Sequence, residues 1–306
     1  MKKATNYCNR TVKLEYNFRS DVLFKMLFVR YPHLLKRLIA AILNISVDMI
    51  EEFHIMNTEM TPEEIGRKFC RLDISMVVNG VQINIEIQNT NEGDFIDRTI
   101  FNWSRLFSSS LQSGVDYAQL KKTIVICIVN FELFKENGVH SHFQLLEINR
   151  HTLLSDKMVL HYFELPKAPN LTELDYNNEL ELWLALFNAS TQTELDKLAT
   201  DGGEIMQKAI HAYESITATD EFKELEWARR KAEHDEATAL ANERRKVEAQ
   251  WAEAVTEKEA QITEKDSQIA TLKAEKEAQI AEKDSQIAEK DSQIAELMRK
   301  LEEKNN

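Results

Sequence analysis

The sequence contains few of the residues that cross-link small secreted proteins or interrupt helices. Its 306 residues include only 3 cysteines, 7 glycines and 4 prolines. Cys8, Cys70 and Cys127 are far apart and odd in number, which excludes a dense disulfide framework and any paired-cysteine zinc motif. This cysteine usage is typical of a reduced protein of the cytoplasm.

Long hydrophobic runs are also absent. The first 20 residues contain no apolar stretch that could form the centre of a signal peptide. The most apolar run, KKTIVICIVNF, is too short to cross a bilayer. We therefore expect a cytoplasmic protein without a membrane partner.

Several catalytic motifs are missing as well. The sequence has neither the glycine-rich loop of a nucleotide-binding protein nor the G-x-S-x-G motif of a serine hydrolase. Four histidines, His140, His142, His151 and His161, are too loosely spaced for a zinc motif. We expect them to be surface side chains or to be hydrogen-bonded within the protein.

Negative charge is concentrated in the second half of the chain. The formal net charge is −13, yet residues 1–170 contain 20 basic and 19 acidic side chains. Residues 171–306 contain 18 basic and 32 acidic side chains. The first half is therefore compatible with a nucleic-acid-binding surface, which needs a local basic patch but not a basic protein.

The predicted elements of the first 170 residues follow the order of an α/β domain with a mixed sheet. Ser20 is a suitable N-cap for a helix over DVLFKMLFVR, and Pro32 suits the first position of the next helix. A strand is expected within residues 50–57. A helix over residues 91–113 is expected to end at Gly114.

Three further strands are predicted after that helix. KKTIVICIVNF is continuously apolar and rich in β-branched residues, which indicates a central strand buried on both faces. HFQLLEI and MVLHYFEL are expected to add edge strands.

The stretch RLDISMVVNGVQINIEIQ, residues 71–88, predicts a β-hairpin with an unusual pair of acidic residues. Asn79-Gly80 is the strongest short signal for a two-residue turn. With that turn, Asp73 lies opposite Glu86 and Arg71 lies opposite Gln88. The alternation places apolar side chains on one face and polar side chains on the other, where they could simply meet water.

Solvent exposure does not explain two carboxylates at one rung, because like charges directly opposite each other are destabilising. Arg71 lies diagonally from Glu86 and could neutralise one charge. A divalent cation bound by Asp73 and Glu86 would neutralise both, and Mg²⁺ is commonly held by one or two carboxylates. The hairpin alone leaves these interpretations open.

The last third of the chain is predicted to be helical. ELELWLALFN has apolar residues at helical spacing, so Trp183 is expected in the core. Residues 204–306 contain no glycine and no proline, which favours a long helix.

Its final part consists of seven-residue repeats such as EKDSQIA, interrupted by the four-residue insertion TLKA. Isoleucine recurs every seven residues, but the positions three residues later are mostly lysine. This pattern predicts a weak coiled coil, most simply a dimer, or else a solvated helix.

The order of these segments resembles the PD-(D/E)XK nuclease superfamily, and in particular the PD-(D/E)XK nuclease-family transposases, or recombination-promoting nucleases. The resemblance covers about residues 18–240. It is carried by SDVLFKMLF, RLDISMVVNG, INIEIQ, DRTIFNWSRLF, SGVDYAQLKKTIVICIVNF, LHYFELPK and ELWLALF. No single motif is specific, but their order and spacing together are.

The resemblance implies a restriction-endonuclease-like mixed sheet flanked by helices, and a metal-dependent endonuclease acting on DNA. Asp73 and Glu86 would then bind Mg²⁺, or Mn²⁺, together with the carbonyl of Ile87. Asp21 resembles the additional acidic residue of the family, although a carboxylate at a helix start is also favourable by itself.

Gln88 departs from the lysine in the superfamily's name, although the transposase branch resembles this chain in having glutamine there. Glutamine can orient a water molecule but carries no positive charge. The sequence offers Lys25, Arg98 and Arg71, in that order, as sources of the missing cation. Arg98 and Arg71 are also the expected DNA contacts, and each of the three could equally be an ordinary surface charge.

The sequence thus predicts three parts: a nuclease-like domain over 18–170, a helical extension over 171–245, and a heptad-repeat coiled coil over 246–306. The expected function is a Mg²⁺-dependent DNA endonuclease that promotes recombination or transposition, assembled as a homodimer or higher oligomer. A DNA-binding regulator with a weakened site and a coiled-coil scaffold remain as alternatives, since fold alone does not determine function.

Overall fold

The computed structural model describes residues 12–56, 74–91, 93–111, 114 and 116–304. Within these ranges the α-helices are α1 Asp21–Arg30, α2 Pro32–Leu43, α3 Phe95–Ser109, α4 Glu179–Asn188, α5 Gln192–Asp201, α6 Gly203–Thr217 and α7 Asp220–Lys304. The strands are β1 Phe53–Ile55, β2 Ile74–Val78, β3 Val81–Gln88, β4 Thr123–Val129, β5 His140–Leu146 and β6 Leu153–Glu164.

The six strands form one mixed sheet in the order β1-β2-β3-β4-β6-β5. Strand β4 is parallel to both β3 and β6, and the remaining neighbours are antiparallel. Every residue of β4 is buried, which confirms the predicted central strand. The prediction that MVLHYFEL is an edge strand is wrong, because β6 lies between β4 and β5.

The predicted Asn79-Gly80 turn is confirmed. Both residues have positive φ, 48° at Asn79 and 75° at Gly80, as a two-residue hairpin turn with right-handed strand twist requires. Val78 pairs with Val81, and the register continues to Ile74 opposite Ile85.

Helices cover both faces of the sheet. Ser20 caps α1 by accepting a hydrogen bond from the Leu23 amide, and Pro32 begins α2, both as predicted. Helices α1, α2, α4, α5 and α6 contribute to one hydrophobic core with the sheet, and Trp183 is fully buried there, as expected. On the opposite face, Phe95 of α3 packs into a second apolar cluster with β4 and β6.

Helix α3 ends earlier than predicted, at Ser109 and not beside Gly114. Three successive serine hydroxyls, of Ser108, Ser109 and Ser110, donate to the carbonyl three residues back, which competes with continuation of the backbone ladder. Gly114 does adopt the positive φ of 85° that made it a plausible helix end.

Helix α7 has 85 residues, which confirms the long C-terminal helix. Contacts divide the chain into two compact units, residues 1–234 and 235–306. The isoleucines of the heptad repeats are each between 50% and 58% exposed: Ile262, Ile269, Ile280, Ile287 and Ile294. The coiled coil and the boundaries at residues 170 and 245 stay predictions.

In the described part of the chain, no helix combines the length and the apolar character needed to cross a membrane.

Candidate active site

Glu86 is a buried carboxylate in the middle of the sheet. It lies on β3 beside Cys127 of β4, and the next residue across this rung is Tyr162 of β6. Glu86 is only 8% exposed and Asn84 only 2%, so an interpretation in which this polar face simply meets water is wrong at both positions. A buried carboxylate needs compensating partners, because desolvation of its charge is costly.

One such partner is the thiol of Cys127, which donates a hydrogen bond to Oε1 of Glu86 over 3.4 Å. Burial raises the pKa of Cys127 well above its ordinary value, and the negative charge of Glu86 raises it further. The thiol therefore stays protonated and remains a donor. The charge of Arg98 opposes this rise, which places Arg98 within electrostatic reach of the same rung.

Gln88 ends β3 at the carboxyl edge of the parallel pair formed by β3 and β4. Its side-chain amide donates to the Thr90 carbonyl over 3.2 Å. Its own carbonyl accepts a hydrogen bond from the backbone amide of Asn130, which follows β4, over 2.9 Å. This edge is where open α/β sheets usually place their ligands.

The start of α1 is fastened to the same edge. The side chain of Asn89 donates to the Arg19 carbonyl over 2.7 Å, and Nη1 of Arg19 donates to Oδ1 of Asn130 over 2.9 Å. Asp21 is thereby held near the ends of β3 and β4. The sequence predictions missed Arg19 and Asn130, and the available signal was a basic residue directly before the N-cap.

Asp21 has two observed partners. Its Oδ1 accepts a hydrogen bond from the Val22 amide over 3.0 Å and lies 3.5 Å from Nε of Arg229. Burial raises the pKa of Asp21, while the charge of Arg229 partly opposes the rise. The helix-start role considered for Asp21 is therefore observed, and a metal-binding role stays a prediction.

Arg229 and Glu226 of α7 form a buried charge cluster against the α1 start. Glu226 is 2% exposed and accepts hydrogen bonds from the hydroxyl of Ser20 over 2.8 Å and from Nη2 of Arg229 over 2.7 Å. Nε of Arg229 and Nε of Arg230 add two more, each over 3.0 Å. Burial would raise the pKa of Glu226, but the bonds and charge of Arg229, together with the bonds from Ser20 and Arg230, outweigh that effect and lower it.

The sequence did not predict the charge cluster of Glu226 and Arg229 either. Glu226 and Arg229 have the spacing of any surface ion pair on a helix, so nothing local distinguishes them from solvated charges. Their burial is decided by the packing of Ser20 against α7, two elements far apart in the chain.

The other predicted site residues lie in different surroundings. Lys25, one turn after Asp21, is 4% exposed, and no carboxylate of the described residues lies within ion-pair distance of its ammonium. Arg98 is on α3, with its guanidinium carbon 5.3 Å from the centre of the Phe95 ring. Asp73 and Arg71 fall outside the described residues. The last described pairing, Ile74 with Ile85, has the register that predicted the Asp73–Glu86 rung.

The oxygen donors at this edge suit a hard divalent cation such as Mg²⁺. They are the buried carboxylate of Glu86 and the backbone carbonyl of Ile87. The Gln88 carbonyl binds the Asn130 amide and so points toward β4. Because successive carbonyls of a strand point to opposite sides, the Ile87 carbonyl points away from β4. Across the described ranges, no group of three or more histidine, cysteine or acidic side chains is placed to hold a metal. A complete site would therefore need Asp73.

Three of the histidines pack together at the β5–β6 pairing. Nε2 of His140 and Nδ1 of His161 share a hydrogen bond of 2.9 Å, and the rings of His142 and His161 stack with centroids 4.5 Å apart. Burial lowers the pKa of His161 to about 3, helped by the neighbouring His142 and His140. His161 is thus a neutral structural side chain at physiological pH.

Comparison with known proteins gives one family match. No curated protein and no solved structure matches the chain. A family model described as PD-(D/E)XK nuclease family transposase matches residues 18–243, which include the whole sheet and α1 to α6. The match covers well over half of the sequence, so the chain belongs to the PD-(D/E)XK nuclease family transposases.

Proposed function

We propose that this protein is a Mg²⁺-dependent endonuclease that hydrolyses phosphodiester bonds in DNA, in support of recombination or transposition. The main support is the buried Glu86 on β3, two residues before Gln88 at the edge where α1 begins. Membership of a nuclease family agrees with this chemistry.

Asp73, Glu86 and the Ile87 carbonyl would hold the metal, which supplies a Lewis acid for a phosphate oxygen and lowers the pKa of a bound water. Gln88 would orient that water by hydrogen bonding. The Cys127 thiol holds Glu86 in place from the buried side. Arg98, within electrostatic reach of that rung, would help to hold the DNA backbone.

The experiment that tests this function is digestion of supercoiled plasmid by the full chain with Mg²⁺, with Mn²⁺ or with EDTA. We expect nicking or linearisation with either metal and none with EDTA. The Asp73→Ala protein should be inactive under all three conditions.

If the purified protein binds DNA but cuts it with neither metal, the nuclease proposal is wrong. Such a result would favour the regulator alternative, in which Gln88 in place of lysine accounts for the inactivity. A protein that neither binds nor cuts DNA would favour the scaffold alternative.

We further propose that residues 246–306 pair with a second copy of the chain, so that one assembly carries two active sites. The support is the isoleucine row with its seven-residue repeat, half exposed in a single chain. Such a row is the seam that coiled coils bury. Two sites would allow one assembly to cut both strands.

Replacing Ile280, Ile287 and Ile294 by glutamine should convert a dimer to a monomer in sedimentation equilibrium, since the seam would lose its apolar side chains while keeping good helix formers. Linearisation of plasmid should fall relative to nicking. The matched control replaces Ser267, Ser285 and Ser292, which lie on the opposite side of each heptad, by glutamine. A monomeric wild type, or a triple isoleucine variant that remains dimeric, would contradict this pairing.

A further inference from the structure

We propose that Arg19 supplies the positive charge that Gln88 cannot, by contacting the DNA phosphate at the site of hydrolysis. This inference rests on the proposed nuclease function and adds a catalytic residue to it. Arg19 is not part of any recognised motif in the sequence; its position in the fold is what singles it out.

Arg19 is fixed at the carboxyl edge of β3 and β4 by two separate hydrogen bonds. Its carbonyl accepts from the Asn89 side chain over 2.7 Å, and its guanidinium donates to Oδ1 of Asn130 over 2.9 Å. The backbone amide of Asn130 in turn binds the Gln88 carbonyl over 2.9 Å. Asn130 thus links the guanidinium of Arg19 to the end of β3 that carries Gln88.

Among the residues that the structure describes, none neutralises the charge of Arg19. Within the described ranges, no carboxylate lies within ion-pair distance of its guanidinium, and its bonded partner Asn130 is a neutral amide. The side chain is half-buried, and burial lowers its pKa from the ordinary arginine value. Partial burial of an unneutralised cation is unfavourable unless an anion binds there.

A phosphodiester is the anion that fits this position. A guanidinium presents several N–H donors in a planar fork that matches two phosphate oxygens, and the bond to Asn130 uses only one of them. Asn130 therefore orients the fork while leaving donors available. Such an arrangement stabilises the charge that develops on the phosphate during hydrolysis.

The geometry favours Arg19 over Lys25, the first choice from the sequence. Lys25 is 4% exposed and lies within the run 22–28 of α1, all of which is buried, whereas Arg19 is half-buried and precedes the helix. A DNA phosphate can reach Arg19 without displacing the core.

The test compares Arg19→Gln, Arg19→Lys and Lys25→Gln in the full chain, with plasmid nicking rates measured across DNA and Mg²⁺ concentrations. We expect Arg19→Gln to lower kcat by roughly 10²- to 10³-fold, the cost of losing one preorganised charge contact. The Mg²⁺ concentration for half-maximal rate should stay unchanged, because the oxygen donors are intact. Arg19→Lys should recover part of the rate, since it keeps the charge but not the fork.

Two further variants separate charge from structure. Asn130→Asp keeps the shape of the partner but gives Arg19 a carboxylate, so it should reduce the rate although it strengthens the local bond. Arg150→Gln removes an exposed arginine on the β5–β6 turn, whose side chain is 78% accessible, and should leave the rate unchanged. Full activity of both Arg19→Gln and Asn130→Asp, or a loss confined to Lys25→Gln, would overturn the role of Arg19.

Failure of the nuclease proposal gives a different result from failure of the Arg19 proposal. If the wild type cuts DNA and Arg19→Gln cuts equally well, only the Arg19 inference is wrong. If the wild type binds duplex DNA without cutting it, the nuclease proposal is wrong, and the salt dependence of binding still tests whether Arg19 contacts a phosphate. Loss of one phosphate contact in Arg19→Gln should make the slope of log K against log salt less negative by about 0.9. An unchanged slope in Arg19→Gln, or no DNA binding by the wild type, would overturn both proposals.

Discussion

Replacing Glu86 by glutamine should abolish metal-dependent DNA cleavage while leaving the protein folded. A metal ion in such a site is worth several kcal/mol of transition-state stabilisation, which corresponds to a loss of roughly 10³-fold in rate or more. Glutamine has the same shape and can still accept the hydrogen bond from Cys127, and it removes a buried charge. Thermal unfolding should therefore shift little, and cleavage of plasmid with Mg²⁺ should disappear.

Glu164 offers a matched control on the same face of the sheet. It is fully buried, and its Oε1 accepts hydrogen bonds from the Phe134 amide over 3.1 Å and from Nζ of Lys167 over 2.8 Å. These contacts are structural, so Glu164→Gln should cost stability but retain metal-dependent cleavage. Equal losses of activity in both variants would mean that Glu86 acts through folding and not through the metal.

Replacing Glu226 by alanine should destabilise the first compact unit by about 3 kcal/mol, the lower end of the cost of breaking a buried ion pair. The variant leaves Arg229 buried with an 18% exposed side chain and removes the partner of the Ser20 hydroxyl. Because Asp21 and Glu233 still contact Arg229 in the variant, the loss of stability stays at the lower end of that range. Urea unfolding followed by tryptophan fluorescence measures the change, since Trp183 is buried in this core.

The comparison variant is Glu233→Ala, which removes a 64% exposed partner of the same Arg229. Exposed ion pairs contribute about 1 kcal/mol or less, so this change should be small. The folded-state pKa of Glu226 is lowered. The contribution of Glu226 to the free energy of unfolding is therefore present above the ordinary glutamate pKa and is lost as the pH falls through the folded-state pKa. The difference between wild type and Glu226→Ala should therefore shrink in acid; a difference that is small at pH 7, or that grows in acid, would contradict this account of the cluster.

The parts of the fold that the sequence predicted well depend on local chemistry. Asn79 and Gly80 can both adopt positive φ, so the turn, the register of β2 and β3, and the face that carries Glu86 all followed from two residues. The cap at Ser20 and the buried run of β4 are local signals of the same kind.

The errors concern pairings between distant segments. Strand β6 is apolar and buried only in its second half, and nothing within it indicates that this half pairs in parallel with β4. The sequence did not predict Arg19 as a site residue, because its position depends on Asn130. It did not predict Glu226 either, because the burial of that side chain depends on Ser20. Such contacts are set by tertiary packing, which local propensity does not encode.

The most direct measurement is a Mg²⁺ titration of the plasmid nicking rate, with wild type and Asp73→Ala protein stripped of metal beforehand. The account predicts no cleavage without metal, a rate for the wild type that rises and saturates as Mg²⁺ is added, and no response from Asp73→Ala. Cleavage that does not depend on added metal, or an Asp73→Ala protein that responds as the wild type does, would contradict a metal site on the hairpin.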